Sequence, residues 1–145
     1  MITISQAHQD YLKVIHRLVA ANGRATTTQI AEQLNITPAS VSNMLKKMAD
    51  YDPPLLRYRK HKGVTLTEAG TETALEILRH HRLLETFLCE KLGFHQDEAH
   101  EEACRLDHVL TEELEARIAA VLHHPTHDPH GQPIPTKNLE MPTER

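Results

Sequence analysis

The chain has 145 residues, of which 39% are hydrophobic and 3% aromatic. This length suits one domain or two small ones, with a core made mainly of aliphatic side chains. Its two cysteines, Cys89 and Cys104, are too few for a disulfide framework and indicate a reducing compartment. The sequence shows neither a signal peptide nor a long apolar segment, so we expect a cytoplasmic protein that does not use a membrane.

Charge is distributed unevenly along the chain. Residues 1–70 contain nine Lys or Arg and five Asp or Glu, a net charge of +4, whereas residues 71–145 contain seven and fifteen, a net charge of −8. Nine of the twelve histidines lie at or after His80. A cationic first half suits a polyanion such as DNA, and an acidic, histidine-rich second half suits a cation.

Three helices are predicted at the start of the chain. Residues 5–21 form the first, with Ser5 as its N-cap, and residues 27–34 form the second. A short turn at residues 35–37 leads to a third helix that runs to residue 49, with Thr37 as its cap and Pro38 in its first turn. Two short helices around such a turn are typical of a helix-turn-helix, which places its second helix in the major groove of DNA.

Side chains at the start of this third helix are small or polar, as close approach to bases requires, and two lysines follow them. The predicted DNA contacts are Thr37, Ala39, Ser40, Ser42, Asn43, Lys46 and Lys47. An ordinary helical hairpin is the alternative interpretation of the same pattern.

A short basic hairpin follows the helix-turn-helix. Residues 55–59 and 64–66 are predicted strands, joined by a loop in which Gly63 supplies the turn. A basic hairpin in this position indicates a winged helix. Its cations would contact the DNA backbone or minor groove without specifying sequence, and they are Arg57, Arg59, Lys60 and Lys62.

The second half is predicted to be helical and then irregular. Residues 68–92 form a long helix, capped by Thr67 and ended by Gly93, and two further helices span residues 97–108 and 112–122. Five prolines after residue 124 rule out regular helix, so residues 123–145 are predicted to be an irregular or mobile tail. The predicted division is a DNA-binding domain at 1–70, a helical domain at 71–124 and a tail at 125–145.

Histidine, cysteine and acidic side chains recur at helical spacing in this second half. His100, Cys104 and His108 are four residues apart, with Asp107 beside them, and His81 and Glu85 repeat the spacing on the long helix. Imidazole, thiolate and carboxylate are transition-metal ligands, and facing helices often build such sites. A solvated charged face with a buried cysteine is the alternative.

Taken in order, these segments resemble the diphtheria-toxin-repressor family of iron- and manganese-dependent transcriptional repressors. The resemblance extends from about residue 5 to residue 135. Its most specific segments are Asp10-Tyr11-Leu12, residues 30–42, Leu66-Thr67-Glu68-Ala69-Gly70, His81-Arg82-Leu83-Leu84-Glu85 and residues 100–108. Many members carry a third, SH3-like domain, and we expect this sequence to lack it.

The resemblance implies two sets of metal ligands. By position, the primary set is Asp10, Cys104, Asp107 and His108, and the ancillary set is His81, Glu85 and His100. Iron-type members have Met at the position of Asp10, whereas manganese-type members have Glu at the positions of Cys104 and Lys13. The donor set here is mixed. We therefore expect Mn(II) or Fe(II) as the activating metal, with Zn(II) or Co(II) able to bind in vitro.

The leading hypothesis is a mainly α protein, with an N-terminal winged helix-turn-helix followed by an all-helical metal-binding and dimerisation domain. It would act as a homodimeric, metal-activated repressor of metal-homeostasis genes on a near-palindromic double-stranded operator. One alternative is a winged-helix regulator that responds to an organic ligand. Another is a metal-dependent hydrolase, disfavoured because the sequence contains no glycine-rich phosphate loop, HExxH motif or nucleophile elbow. We therefore expect no enzymatic activity.

Overall fold

A computed structural model describes residues 5–142 of the chain. They form two compact units, one on each side of the boundary between Ala74 and Leu75, and each unit is described by itself. The elements in chain order are α1 (Gln6–Asn22), α2 (Thr27–Leu34), α3 (Pro38–Ala49), β1 (Leu56–Arg59), β2 (Gly63–Leu66), α4 (Glu68–Leu92), α5 (Gln96–Leu106) and α6 (Glu112–Val121). The mainly helical fold with an N-terminal winged helix is as predicted from the sequence.

Capping side chains begin each helix of the helix-turn-helix. Thr26 accepts a hydrogen bond from the backbone of Gln29 and forms a capping box with it. Thr37 accepts from the backbone N–H of Ser40, and Pro38 occupies the first turn of α3. Because these caps are visible in the sequence, the predicted bounds of α2 and α3 agree with the structure within one residue.

Aliphatic side chains fill the interior of the first unit. Leu12 and Ile15 of α1, Ile30 of α2 and Leu45 of α3 are fully buried, as is Val64 of β2. Contacts join α1 to α2 and β2, and α3 to α2 and β1. Burial of each such side chain contributes about 1.5–3 kcal/mol, so hydrophobic packing rather than polar contact fixes the orientation of α3.

The wing is an antiparallel pair in which Leu56 lies opposite Leu66 and Arg59 opposite Gly63. The loop differs from its prediction, because His61 also takes a left-handed conformation, with a φ of 66°. Gly63 has a second role. A Cβ there would stand 2.7 Å from the carbonyl oxygen of Ala25, whose backbone pairs with Val64. Glycine therefore lets the wing approach the segment before α2.

The start of α4 lies directly on the backbone of the preceding segment. The Thr67 hydroxyl donates to the carbonyl of Pro54 (2.6 Å) and accepts from the N–H of Gly70 (3.0 Å), which confirms Thr67 as the cap. A Cβ on Gly70 would lie 1.7 Å from the carbonyl oxygen of Leu55. No side chain fits at Gly70, which is a physical reason for glycine in the Leu66–Gly70 segment.

The second unit packs α4, α5 and α6 around an apolar cluster. Leu83, Leu84 and Leu88 of α4 are buried in it, together with the following residues of the other elements: Ala99, Ala103, Ile118, Ala119, Leu122 and Ile134. Among the described residues, no helix has both the length and the apolar character that crossing a membrane would require.

Helix α5 ends two residues earlier than predicted. Its last residue is Leu106, and Asp107 is the C-cap, with its N–H bonded to the carbonyl of Ala103 (2.8 Å). The N–H of Val109 then bonds to the carbonyl of Leu106 (3.1 Å), a turn contact that replaces the helical bond to Arg105. His108 therefore lies in a turn. His100 and Cys104 share a face of α5 as predicted, but the prediction that His108 continues this helical stripe is wrong.

The segment after α6 contains no regular helix within residues 123–142, as its prolines predict. It is nevertheless packed. Ile134 is 2% exposed, and the N–H of Ile134 bonds to the carbonyl of Thr126 (2.8 Å), which closes a loop over residues 126–134. Arg79 and Arg82 of α4 donate to the carbonyls of Pro135 and Pro133. The description of a mobile tail therefore does not apply to this loop.

Candidate metal centre and nucleic-acid interface

Nitrogen, oxygen and sulfur donors converge between α4 and α5. His81 and Glu85 lie one turn apart on α4, and His100 and Cys104 lie one turn apart on α5. His81 and Glu85 are buried, Cys104 is half-buried and His100 is exposed. The four side chains therefore form a cluster with its base in the core and one edge at the surface.

The donor atoms of this cluster are close to one another. Nε2 of His81 lies 3.2 Å from Nδ1 of His100 and contacts Oε1 of Glu85. Nδ1 of His100 lies 3.3 Å from the same Oε1. The thiol sulfur of Cys104 lies 3.7 Å from Nε2 of His100 and 4.0 Å from Nδ1 of His81. His81, His100 and Cys104 each offer a ligand atom within a span of 4.8 Å.

Two further predicted ligands lie at the end of α5. Oδ2 of Asp107 is 3.1 Å from Nδ1 of His81, and its other oxygen is 3.8 Å from Nδ1 of His108. This His108 nitrogen is buried and makes no hydrogen bond. Cys104 and Asp107 of the predicted primary set therefore each approach His81 of the predicted ancillary set, and His108 lies beside Asp107.

Contacts within the cluster favour the charged forms of His81 and Glu85. Burial alone would lower the pKa of His81, but hydrogen bonds to Asp107, Cys104 and Glu85 outweigh it and raise the pKa to about 10. Burial would raise the pKa of Glu85, but its contacts with His81 and His100 hold that pKa below its usual value. The buried His81 is therefore protonated at neutral pH and lies between the carboxylates of Glu85 and Asp107. A metal ion that binds a nitrogen of His81 would have to displace the proton on that nitrogen.

Donor geometry fits a divalent transition metal. His81, His100 and Cys104 each offer one ligand atom within 4.8 Å of the others, a spacing compatible with binding one ion at about 2.0–2.3 Å. Nδ1 of His108, which is buried and makes no hydrogen bond, is a further potential ligand atom. When bound, the ion would supply positive charge that neutralises Glu85 and Asp107, while the histidines and Cys104 would fix its position.

Asp10, the remaining member of the predicted primary set, belongs to α1 in the first unit. Its side chain is 45% exposed, and one oxygen lies 3.6 Å from the ammonium nitrogen of Lys13. The two residues lie three apart on the same helix, so this contact is a local, half-buried ion pair within α1.

An ion-pair network joins α4 to α6 next to the cluster of potential ligands. Glu115 accepts hydrogen bonds from Arg79 and from Nε2 of His80, the latter at 2.8 Å. Burial would raise the pKa of Glu115 and lower that of His80, but their mutual contact lowers the former and raises the latter. This network fixes the helix that carries His81 and Glu85.

The predicted DNA-contacting side chains lie on one exposed helix face and on the wing. Thr37, Ala39, Ser40, Asn43, Lys46 and Lys47 are exposed and Ser42 is half-buried, and the four wing cations Arg57, Arg59, Lys60 and Lys62 are exposed as well. Sequence reasoning missed Arg24, whose guanidinium donates to the carbonyl of Lys62 at 3.0 Å. An isolated arginine after a helix-ending glycine gives only a weak signal for a wing contact.

A second group of potential metal ligands was also missed. Glu85, Asp128 and His130 offer ligand atoms that lie within 4.8 Å of one another. Asp128 and His130 belong to the loop of residues 126–134, where neither helical nor strand periodicity relates them to α4. The only sequence signal was the histidine content of the segment.

Two family models match this chain. Residues 3–64 match the N-terminal DNA-binding domain of iron-dependent repressors, and residues 67–136 match the metal-binding and dimerisation domain of the same proteins. The two matches cover both structural units and most of the chain.

Individual relatives agree with these matches. An uncharacterized HTH-type transcriptional regulator of Methanocaldococcus jannaschii is 40% identical over 116 residues, which cover 79% of this chain and 91% of that protein. The iron-dependent repressor IdeR of Mycobacterium tuberculosis is 37% identical over 125 residues, 86% of this chain. The chain spans 54% of the length of IdeR.

Solved structures show the same arrangement of elements. A manganese-dependent transcriptional repressor in complex with manganese superimposes with a TM-score of 0.81 at 41% identity, covering 94% of this chain and 62% of that one. The manganese regulator SloR gives a TM-score of 0.81 at 33% identity, covering 97% and 64%. The chain therefore belongs to the iron-dependent repressor family, of which it contains the DNA-binding domain and the metal-binding and dimerisation domain.

Proposed function

We propose that this protein is a metal-dependent, DNA-binding transcriptional repressor of metal-homeostasis genes, without enzymatic activity, that acts in the cytoplasm as a homodimer. The observation that carries the proposal is the cluster of His81, Glu85, His100, Cys104 and Asp107 in a chain that also contains a winged helix with an exposed cationic wing. A metal-responsive repressor needs both a metal site and a DNA-binding surface.

The ligand assignment follows the family and the local contacts. The proposed primary ligands are Asp10, Cys104, Asp107 and His108, and the proposed ancillary ligands are His81, Glu85 and His100. Because His81 approaches both Cys104 and Asp107, the ancillary cluster is positioned to influence the primary ligands. Relatives are named as iron-dependent and manganese-dependent repressors, which supports Fe(II) or Mn(II) as the activating ion.

Other metals fit the same donors. Cys104 is a soft ligand that accepts zinc or cobalt, whereas the carboxylates suit manganese. The related repressor ScaR has been solved with bound Zn²⁺ and with bound Cd²⁺. We therefore propose that Zn(II) and Co(II) bind this chain in vitro, and that metal availability selects the ion in the cell.

The DNA-binding part comprises residues 1–70. We propose that the start of α3, with Asn43 as its central polar side chain, contacts base edges, and that the wing cations contact phosphates. Residues 71–124 would bind metal and form the dimer, and the loop of residues 126–134, which packs on the same apolar cluster, would belong with them. One winged helix reads only a short half-site, so a two-fold dimer on a near-palindromic operator follows from the size of the recognition surface.

Binding of an organic effector is the second candidate. The second unit contains a cavity of about 160 Å³ that is lined in part by Arg79, Leu83 and Ile134. Sites for small organic ligands usually measure about 300–1,000 Å³. This cavity is smaller than such sites, so it lends the alternative little support.

The test is to load the protein anaerobically with Mn²⁺ or with Fe²⁺ and then to measure binding to a duplex selected in vitro and to a random duplex. We expect either ion to strengthen binding to the selected duplex, with a smaller effect on the random one. Light scattering of the loaded protein should show a dimer. Binding that does not change with metal, or a monomer at tens of micromolar, would contradict the proposal.

A further inference from the structure

We propose that Arg24, in the segment between α1 and α2, binds a DNA phosphate beside the wing. Arg24 belongs neither to α3 nor to the two wing strands, so its role is separate from that of the cations predicted from the sequence. The proposal rests on the proposed binding of DNA. It does not rest on the metal dependence of that binding, because phosphate contacts also form with a random duplex.

The backbone places Arg24 against the wing. Gly23 ends α1 in a left-handed conformation (φ 81°), and its N–H bonds to the carbonyl of Val19 at 2.8 Å, so the chain leaves the helix at this residue. Ala25 then pairs with Val64 of β2 through two backbone hydrogen bonds of 3.0 and 2.7 Å. The segment that contains Arg24 therefore lies along the edge of the wing.

The side chain of Arg24 is held at the turn of the wing. Its guanidinium donates to the carbonyl of Lys62, in the loop between β1 and β2, at 3.0 Å. Its Cδ would stand 3.7 Å from a Cβ on Gly63, so the aliphatic part of the side chain also follows the wing. The bond to Lys62 uses one of the five N–H donors of the guanidinium, and among residues 5–142 the structure shows no other acceptor for this exposed group.

The surrounding charges identify an anion as the partner. Within the described part of the chain, neither Arg24 nor any of the four wing cations forms an ion pair with a carboxylate. Exposed arginines of the second unit differ in this respect, because Arg105 pairs with Glu102 at 2.9 Å and Arg117 pairs with Glu113 at 3.0 Å. Five exposed cations without acidic partners therefore form one basic surface, which favours a polyanion.

The chemistry of the guanidinium defines the acceptor as a phosphate of the DNA backbone. Arginine can donate two parallel hydrogen bonds to the oxygens of one phosphate. The bond to Lys62 holds the group in place before DNA binds, so less side-chain entropy is lost on binding. A phosphate contact of this kind adds affinity and fixes the wing on the duplex, but it does not specify sequence.

The experiment measures binding to a random duplex and to the selected duplex over a series of salt concentrations, with and without Mn²⁺, by fluorescence anisotropy. The variants are Arg24→Gln, Arg24→Lys, and Arg24→Gln combined with Lys60→Ala and Lys62→Ala. Arg117→Gln is the matched control, because it removes the charge of an exposed arginine that already has a carboxylate partner. Thermal unfolding checks that each variant folds.

We expect Arg24→Gln to weaken binding to both duplexes about 5- to 10-fold at about 100 mM salt, and to flatten the slope of log affinity against log salt by about 0.9. Arg24→Lys should retain the slope of the parent, because it keeps the charge. Arg117→Gln should bind like the parent. An Arg24→Lys slope as flat as that of Arg24→Gln would overturn the proposal, as would an equal flattening by Arg117→Gln.

The combined variant separates a direct phosphate contact from support of the wing. If Arg24 binds phosphate itself, adding Arg24→Gln to Lys60→Ala and Lys62→Ala flattens the slope by a further 0.9 or about that amount. No further change in this background would overturn the proposal, because Arg24 would then act only through the wing lysines. A selected-duplex affinity that does not respond to Mn²⁺, with these slopes as expected, would contradict the proposed repressor and still support the Arg24 contact.

Discussion

His81 and Asp107 join the middle of α4 to the end of α5 through a contact of 3.1 Å between Nδ1 and Oδ2. Both residues are buried, with 6% and 4% of their surface exposed. The contact links a residue of the proposed ancillary set to one of the proposed primary set. A substitution in either ligand set should therefore change the energetic contribution of the other set.

A double-mutant cycle tests this link. In the metal-free protein, Asp107→Asn should leave the His81 imidazolium with one buried carboxylate partner, Glu85, instead of two, and cost about 1–3 kcal/mol of unfolding free energy. His81→Gln should cost less when Asp107 is already neutral, giving a coupling of about 0.5–3 kcal/mol in chemical denaturation. The same cycle with His124→Gln in place of Asp107→Asn is the control and should be additive. An additive His81–Asp107 pair would contradict the link.

The wing should bind DNA through phosphates. Lys60→Ala with Lys62→Ala should weaken binding to selected and random duplexes alike and flatten the slope of log affinity against log salt by about 0.9 per lost contact. Asn43→Ala on α3 is the contrasting variant, since a lost base contact changes sequence preference and costs about 1–3 kcal/mol at one base pair. A wing variant that alters preference, together with an Asn43 variant that does not, would reverse these roles.

The Glu115 network predicts a bell-shaped dependence of stability on pH. The pKa of Glu115 is lowered on folding, so its contribution is present above the unfolded value of about 4.5 and is lost as pH falls through the folded value. The pKa of His80 is raised, so its contribution is complete below about 6.5 and is lost as pH rises through the folded value. Stability from this network should therefore be greatest between about pH 4.5 and 6.5.

Glu115→Gln should flatten this profile and lower the unfolding free energy by about 1–3 kcal/mol at pH 6, because Arg79 and His80 lose their charged partner. Chemical denaturation across pH 4 to 9 measures the effect. Glu113→Gln is the matched control, since Glu113 pairs with Arg117 at the exposed surface of the same helix. Parallel profiles for the parent and Glu115→Gln would show that the network does not set the pH dependence.

Asp10→Ala should separate metal-dependent from metal-independent DNA binding. We expect it to lower Mn²⁺ affinity and to abolish the response of operator binding to metal, while weak non-specific binding at low salt persists, because the wing cations are unchanged. Glu32→Ala, an exposed carboxylate on α2, is the control and should respond to metal like the parent. An Asp10→Ala protein with the parent's metal response would remove Asp10 from the primary set.

Much of the fold is predictable from local signals. Thr37 and Pro38 mark the start of α3, and Thr67 and Gly93 mark the two ends of α4, since caps and helix-ending glycines act through nearby backbone groups. Helical spacing also pairs His81 with Glu85 and His100 with Cys104, whereas the grouping of His81, Glu85 and His100 into one ancillary set is what the family resemblance implies.

What sequence reasoning missed depends on long-range contacts. The end of α5 at Leu106 is set by a turn bond that has no residue signature, which moved His108 off the helix. The loop of residues 126–134 is held by arginine donors to proline carbonyls, a contact between side chain and backbone that no periodicity reveals. Such long-range contacts help to place Asp128 and His130 close to Glu85.

The most direct test of metal-dependent DNA binding is a complete linkage cycle on the parent protein. Operator affinity is measured by fluorescence anisotropy with and without saturating Mn²⁺, and Mn²⁺ affinity is measured with and without saturating operator. We predict that each ligand strengthens binding of the other by the same factor, about 5- to 150-fold, because coupling between sites is reciprocal. An operator affinity that is the same with Mn²⁺ and with chelator, together with a Mn²⁺ affinity that operator does not change, would contradict the account.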